Sequence, residues 1–427
     1  MRTPPTRTRS LGLGASIVVA LSLAACTAAT SDATGTGSTG SLSSGTALST
    51  AGTSSATGDG CTNQPVAGPD ADAVATIVDD AVAADGLQAV LYRVTRGDEV
   101  IAAGSVGESL PDEPAAAAMH FRGGNVAFAY LGTLLLLMAE SGEVSLDDPI
   151  SRWLPDLDVP DADAVTLEML TNNTSGYPDY VRSEAFQTTY LDNPFVGFTP
   201  DQLLDFAMAT PPWYLPGQGW SYAHTNYQIL GAALAAAGGE PLEELLRTRV
   251  IEPMGLTGTE PVLGTDLPAP ALQTYSAERG VYENTTWWNP SWQTAPGSVL
   301  STDICDLAAS ARAVGRGDLL TEASYEAMIA PDTAQLPAAP ETCPPDVCRQ
   351  MTADQYYGLG VLVMQDWIVQ RPLFGGMGAV QAYLPAQDLS VAVVATAGPD
   401  TEVGSNRAQP IWISIAEALT PDAVPSQ

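Results

Sequence analysis

The stretch from Asn125 to Glu140 constrains the fold of this chain more than any other. Val126, Ala127, Phe128, Tyr130, Leu131 and the run Leu134 to Met138 place apolar side chains on every face of the helix they predict. A helix of that kind either spans a membrane or lies at the centre of a core. Gly132, Thr133 and Glu140 interrupt it before the ~18 uninterrupted apolar residues that a span requires. It therefore predicts a core. Asn125 precedes the helix as a candidate N-cap, and Gly142 follows it as a candidate C-cap.

The flanking patterns predict what surrounds it. An Ala/Val/Asp helix over about Asp72 to Asp85 is followed by alternating runs at Gln88–Thr95 and Val100–Val106. Arg96-Gly97-Asp98 joins them, which is a hairpin signal. Residues from about Asn125 to Met254 read as mostly helical. Extended apolar runs return at Tyr357–Met364, Ala379–Leu384 and Ser390–Ala397, and a last helix covers about Arg407 to Leu419. Strands at both ends with helices between them predict an α+β fold rather than alternating βαβ units. The sheet would come from about 62–115 and 300–427 and the all-helical insertion from about 120–295. No internal repeat is visible.

The first sixty residues have a different character. Arg2, Arg7 and Arg9 precede an apolar stretch from Leu11 to Leu23, the order of a secretory signal peptide. Leu23-Ala24-Ala25-Cys26 resembles a bacterial lipobox, so 1–25 are expected to be removed and Cys26 lipidated. Of the 34 positions from 27 to 60, 30 are Ser, Thr, Gly or Ala. Such a segment cannot bury enough apolar area to offset its ordering entropy. Residues 26–61 are thus expected to be a lipidated, disordered tether with a reach of roughly 30–35 Å, and 62–427 the folded body. The expected location is the outer side of a cell membrane, held by the lipid anchor.

Composition removes whole classes of chemistry. The chain of 427 residues carries 16 basic and 49 acidic side chains, a net charge of −33. A polyanion would be repelled, which argues against nucleic acid as a partner. Every basic residue is arginine, so no lysine can serve as a base or form a Schiff base. His120 and His224 are the only histidines, so a histidine-rich metal site is excluded. No metal and no cofactor is expected.

Several stretches resemble the serine β-lactamase and DD-peptidase family, especially its class C and esterase-like branch. They are "ESGEVSLDDPISRWLPD" (140–156), "TLEMLTNNTSGYPDY" (166–180), "PGQGWSYAHTNYQILG" (216–231) and "APGSVLSTDICDLA" (295–308). The resemblance covers essentially all of 62–427. It implies a β-lactamase/transpeptidase-like fold, with an antiparallel sheet flanked by helices and an inserted helical subdomain.

The resemblance also implies a site, and this chain departs from it. The family carries its nucleophile in Ser-x-x-Lys at the start of the buried helix, one turn apart so that both side chains share a face. The matching segment is "FRGGNVAFAYLG" (121–132), with Asn125 in place of serine and Phe128 in place of lysine. The second motif, Tyr-x-Asn, reads Tyr222-Ala223-His224. The third, Lys-Thr-Gly or His-x-Gly, is read at Phe374-Gly375-Gly376, with the cation lost and the glycines kept. Of five positions with side-chain roles, only Tyr222 is unchanged. The backbone N–H groups of Asn125 and Met377 would still form the family's oxyanion hole, since backbone donors do not depend on side-chain identity. Phe128 and Phe374 would make the pocket drier, or fill it.

Other residues keep two readings. His224 is a base for new chemistry or a hydrogen-bonded structural residue. Trp287, Trp288 and Trp292 line a ligand cleft or cover a core edge. Cys343 and Cys348, beside prolines, suggest a local disulfide in an exported protein. Cys61 and Cys305 pair with each other, or Cys305 is simply buried.

The expected function is that of a cell-envelope lipoprotein without a working acylation apparatus, leaning away from enzyme activity. It would bind a peptidoglycan peptide, a glycan or an envelope protein. The alternatives are a divergent esterase or peptidase using non-standard residues, and a purely structural envelope component.

Overall fold

The computed structural model describes residues 61–62, 66–338, 340–341 and 343–425. The signal segment, Cys26 and the tether through residue 60 lie outside the described residues.

Nine strands form one antiparallel sheet. They are β1 (Ala89–Arg96), β2 (Glu99–Leu110), β3 (Glu113–Pro114), β4 (Gln355–Tyr357), β5 (Leu362–Met364), β6 (Trp367–Gln370), β7 (Leu373–Phe374), β8 (Met377–Leu384) and β9 (Leu389–Thr396). The order is β3-β2-β1-β9-β8-β6-β5-β4, and β7 pairs with β8. β1 lies against β9, from Ala89 opposite Thr396 to Arg96 opposite Leu389, so segments about 300 residues apart complete the sheet. The β1–β2 turn is two residues, Gly97-Asp98, between the paired Arg96 and Glu99. Gly97 has a φ of 56°, which costs glycine little.

Period-2 alternation sends β1 into two cores. Ala89 and Leu91 join the core that holds α2 (Val126–Glu140), α3 (His224–Gly238) and α4 (Ile304–Arg316). Val90, Tyr92 and Val94 join the other, under α1 (Pro69–Asp85) and α5 (Ala408–Leu419). Because both faces are covered, every residue of β8 and β9 is buried. This is an α+β, β-lactamase/transpeptidase-like fold, with a large antiparallel sheet flanked by helices.

α2 is buried on nearly all sides, and each fully buried leucine contributes about 1.5–3 kcal/mol. Its N-terminal turn is fixed by a close backbone approach. A Cβ on Gly360 would stand 2.4 Å from the Phe128 carbonyl oxygen, and one on Gly132 would stand 2.3 Å from that of Leu359. The glycines let the loop between β4 and β5 dock onto the helix. That docking breaks the apolar run Tyr357–Met364, expected as one extended stretch, into two antiparallel strands. Asn125 also differs from expectation. It occupies the N-cap position, but its side chain makes no capping bond.

Candidate active site

A cavity of about 450 Å³ opens where the start of α2, the start of α3 and the end of β6 converge. Asn125 enters it from α2. Its Nδ2 donates a 3.0 Å hydrogen bond to the hydroxyl of Tyr222, which explains why the amide does not cap its own helix. The Asn125 Oδ1 is buried without a partner among the described residues.

Tyr222 is the one side chain that matches the family's chemistry, and its environment keeps it a phenol. Burial pushes its pKa well above the ordinary value, and the nearby Tyr357 adds to the effect. Phe128, one turn after Asn125, supplies no charge to reverse this. Its ring is fully buried and stacked on Tyr227, with centroids 3.5 Å apart and planes 4° from parallel. Phe128 stands behind Tyr222 and His224, 5.8 Å from each ring centroid, and does not reach the cavity surface.

His224 forms a pair that the sequence reading missed. Its Nδ1 lies 3.1 Å from Oδ2 and 3.3 Å from Oδ1 of the buried Asp179. Asp179 also accepts from the backbone N–H groups of Val181 and His224. The carboxylate thus fixes the ring, and both residues border the cavity. Asp179 stands within the quoted stretch "TSGYPDY", so the signal was present without a partner to pair it with.

The third motif is displaced from where the sequence put it. Phe374 does not line the cavity; it is buried in an aromatic cluster with Trp288 and with Trp292, and only the last of these borders the cavity. Gly375-Gly376 is the two-residue turn between β7 and β8, with φ values of 49° and 79°. A Cβ on Gly376 would stand 1.8 Å from the carbonyl oxygen of Tyr275, so this glycine admits neighbouring backbone rather than a ligand. Met377 is fully buried in the ladder between Phe374 and Thr396. The backbone that faces Asn125 is instead Gln370-Arg371-Pro372-Leu373. A Cβ on Gly124 would lie 2.6 Å from Cβ of Pro372, and Gln370, Arg371 and Leu373 all border the cavity. The expected pairing of Asn125 and Met377 N–H groups is therefore not formed, and neither phenyl ring fills the pocket.

This displacement restores positive charge. Arg371 reaches Gln409 Oε1 at 2.8 Å and meets no carboxylate within ion-pair distance among the described residues. Burial, and then the adjacent Arg349, lowers its pKa from the ordinary arginine value. Arg349 borders the same cavity without an ion pair among the described residues, whereas Arg182 pairs with Asp346 across its rim. Asp346 lies in the loop closed by the Cys343–Cys348 disulfide. A second disulfide joins Cys61 to Cys305. Of the three tryptophans, Trp292 lines the cavity, Trp288 is core and Trp287 is largely exposed.

No serine, threonine, cysteine or lysine lines the cavity among the described residues. The serines beside the second motif and in the threonine-serine-glycine turn are both engaged. Ser221 bonds Tyr214 at 3.0 Å, and Ser175 donates to Asn226 Oδ1 at 2.6 Å.

A buried helix delivering its first turn to a pocket beside a large antiparallel sheet is the architecture of the β-lactamase/transpeptidase-like serine hydrolases. The Beta-lactamase family profile matches residues 74–413, and the chain belongs to that family. It is 28% identical over 129 residues to the putative penicillin-binding protein PbpX of Bacillus subtilis, covering 30% of this chain and 29% of that protein. It is 30% identical over 147 residues to esterase EstB of Burkholderia gladioli, covering 32% and 37%. The chain thus matches well under half the length of these relatives. A D-stereospecific amidohydrolase from Streptomyces sp. superposes with a TM-score of 0.68 at 25% identity, covering 82% of this chain and 99% of that one.

Proposed function

We propose that this protein is a cell-envelope lipoprotein that binds a carboxylate-bearing cell-wall peptide in the cavity without attacking it. The observation that carries the reading is the pairing of Asn125 with a protonated Tyr222 where the family has a nucleophile and its activator. An amide nitrogen is not a usable nucleophile, and a phenol whose pKa is raised cannot take a proton at neutral pH. Arg371 and Arg349 supply charge-assisted donors for a carboxylate in an otherwise acidic chain. The expectation that Cys26 carries the anchor completes the reading.

Isothermal titration with N-acetyl-D-alanyl-D-alanine, run beside a chromogenic ester assay, tests it. Saturable binding without turnover is the expected result, and turnover or absence of binding contradicts it. Cys26→Ala should release the protein from membranes; continued association would refute the anchor.

A second reading is favoured by the Asp179–His224 pair. His224 Nε2 would take a proton from water as the oxygen adds to an ester carbonyl, then return it to the departing alkoxide, with no covalent intermediate. Ester turnover that leaves the protein unlabelled and is lost in His224→Gln would establish this reading over the first.

A further inference from the structure

Gln293 follows Trp292 on the cavity wall, and its side chain is in an unusual state. The residue is 4% exposed, and both amide atoms, Oε1 and Nε2, are buried without a partner among the described residues. Its backbone is satisfied, with N–H donating to the Pro290 carbonyl at 2.9 Å. A buried primary amide with neither end paired costs the desolvation of both a donor and an acceptor. A hydrocarbon side chain of the same size would avoid that cost. Three further residues that line the cavity carry a buried atom without a partner among the described residues, Oδ1 of Asn125, Nε1 of Trp220 and Nε1 of Trp292. With Gln293 they amount to two acceptors and three donors.

We infer that Gln293 is the amide-reading residue of this cavity, pairing through Oε1 and Nε2 with the N–H and C=O of one residue of the ligand, which lie on the same side of an extended peptide. The inference rests on the proposed peptide-binding function and adds to it. The arginines would hold the terminal carboxylate, and Gln293 would distinguish a peptide from an ester of the same shape. A residue of an extended peptide offers its N–H and its C=O to one side-chain amide. An ester offers only acceptors, and so leaves Oε1 buried and unpaired. A site built to hydrogen-bond a particular N–H rejects the analogue lacking it far more strongly than a hydrophobic pocket would.

The test is titration calorimetry on the full chain in detergent with three probes. They are N-acetyl-D-alanyl-D-alanine, N-acetyl-D-alanyl-D-lactate, and O-acetyl-D-lactyl-D-alanine; each of the last two replaces one N–H by oxygen. The wild type should bind one of the two esters at least about tenfold more weakly than the diamide. In Gln293→Leu that ratio should fall to within about twofold. Gln293→Glu, which keeps an acceptor and loses the donor, is the second variant should leucine impair folding. It should retain discrimination against the ester while binding all three probes more weakly. Equal affinity of the wild type for all three probes overturns the assignment of Gln293 and leaves the binding function standing. Discrimination that survives in Gln293→Leu does the same. Failure of the wild type to bind even the diamide overturns both.

Discussion

The side-chain amide of Asn125 donates a 3.0 Å hydrogen bond to the hydroxyl of Tyr222, 97 positions further along the chain. The bond ties the start of α2 to the start of α3, and it occupies the place where this family joins nucleophile to proton acceptor. Restoring the hydroxyl alone should not restore chemistry. Asn125→Ser places a serine beside a phenol that stays protonated, with no ammonium one turn away. The expected result is no covalent labelling by a fluorescent penicillin and a stability loss of about 1 kcal/mol from the missing bond. A labelled band on a gel would contradict it.

Phe128 serves the core. It is fully buried and stacked face to face on Tyr227. Phe128→Ala should cost about 3–5 kcal/mol, measured by urea unfolding. Phe128→Lys should be worse, because an ammonium replacing that ring would be buried without a counter-charge.

The buried phenols fix an alkaline limit. Burial raises Tyr222 and Tyr227 well above their ordinary value and Tyr357 to about 12. Between the unfolded pKa of about 10 and these higher folded values, the unfolded chain has lost protons that the folded one retains. Their contribution is complete below about pH 10 and disappears as pH rises through the folded values. The melting temperature should therefore fall steeply above about pH 10, and Tyr222→Phe should make that decline shallower. An unchanged slope in the variant would place the effect elsewhere.

Arg371 should control ligand charge. Arg371→Gln is expected to weaken binding of N-acetyl-D-alanyl-D-alanine by about tenfold to a hundredfold, the worth of a charge-assisted bond. The C-terminal amide of the same peptide should bind wild type and variant alike. Equal losses for both probes would mean the arginine acts on the fold.

The sequence revealed the fold where local pattern decides it. The all-apolar helix, the Gly97-Asp98 hairpin and the late β-runs each carry their own periodicity. Tyr357–Met364 misled because its break comes from Gly360 meeting the backbone of α2, a contact made across more than 200 residues. Motif spacing brought Asn125 and Tyr222 together at the cavity, whereas Phe128, expected to make the pocket drier or to fill it, is buried behind it against Tyr227. It failed at the third motif. Phe374-Gly375-Gly376 keeps the motif's glycines, but positive φ at both makes it a hairpin turn and moves the facing strand back to Gln370-Arg371. Sequence spacing cannot reveal which side of a tight turn faces a helix. His224 could not be paired because Asp179 lies 45 residues away. The same distinction separates the disulfides: Cys343 and Cys348 are five apart, whereas Cys61 and Cys305 are 244 apart.

Intact-mass spectrometry after prolonged incubation with a β-lactam and with an activated ester tests most directly the proposal that the pocket is inert. The mass should remain that of the unmodified chain while a carboxylated peptide still binds by calorimetry. A stable adduct mapped to any residue lining the cavity would show that the pocket attacks its ligand, and the binding account would fall.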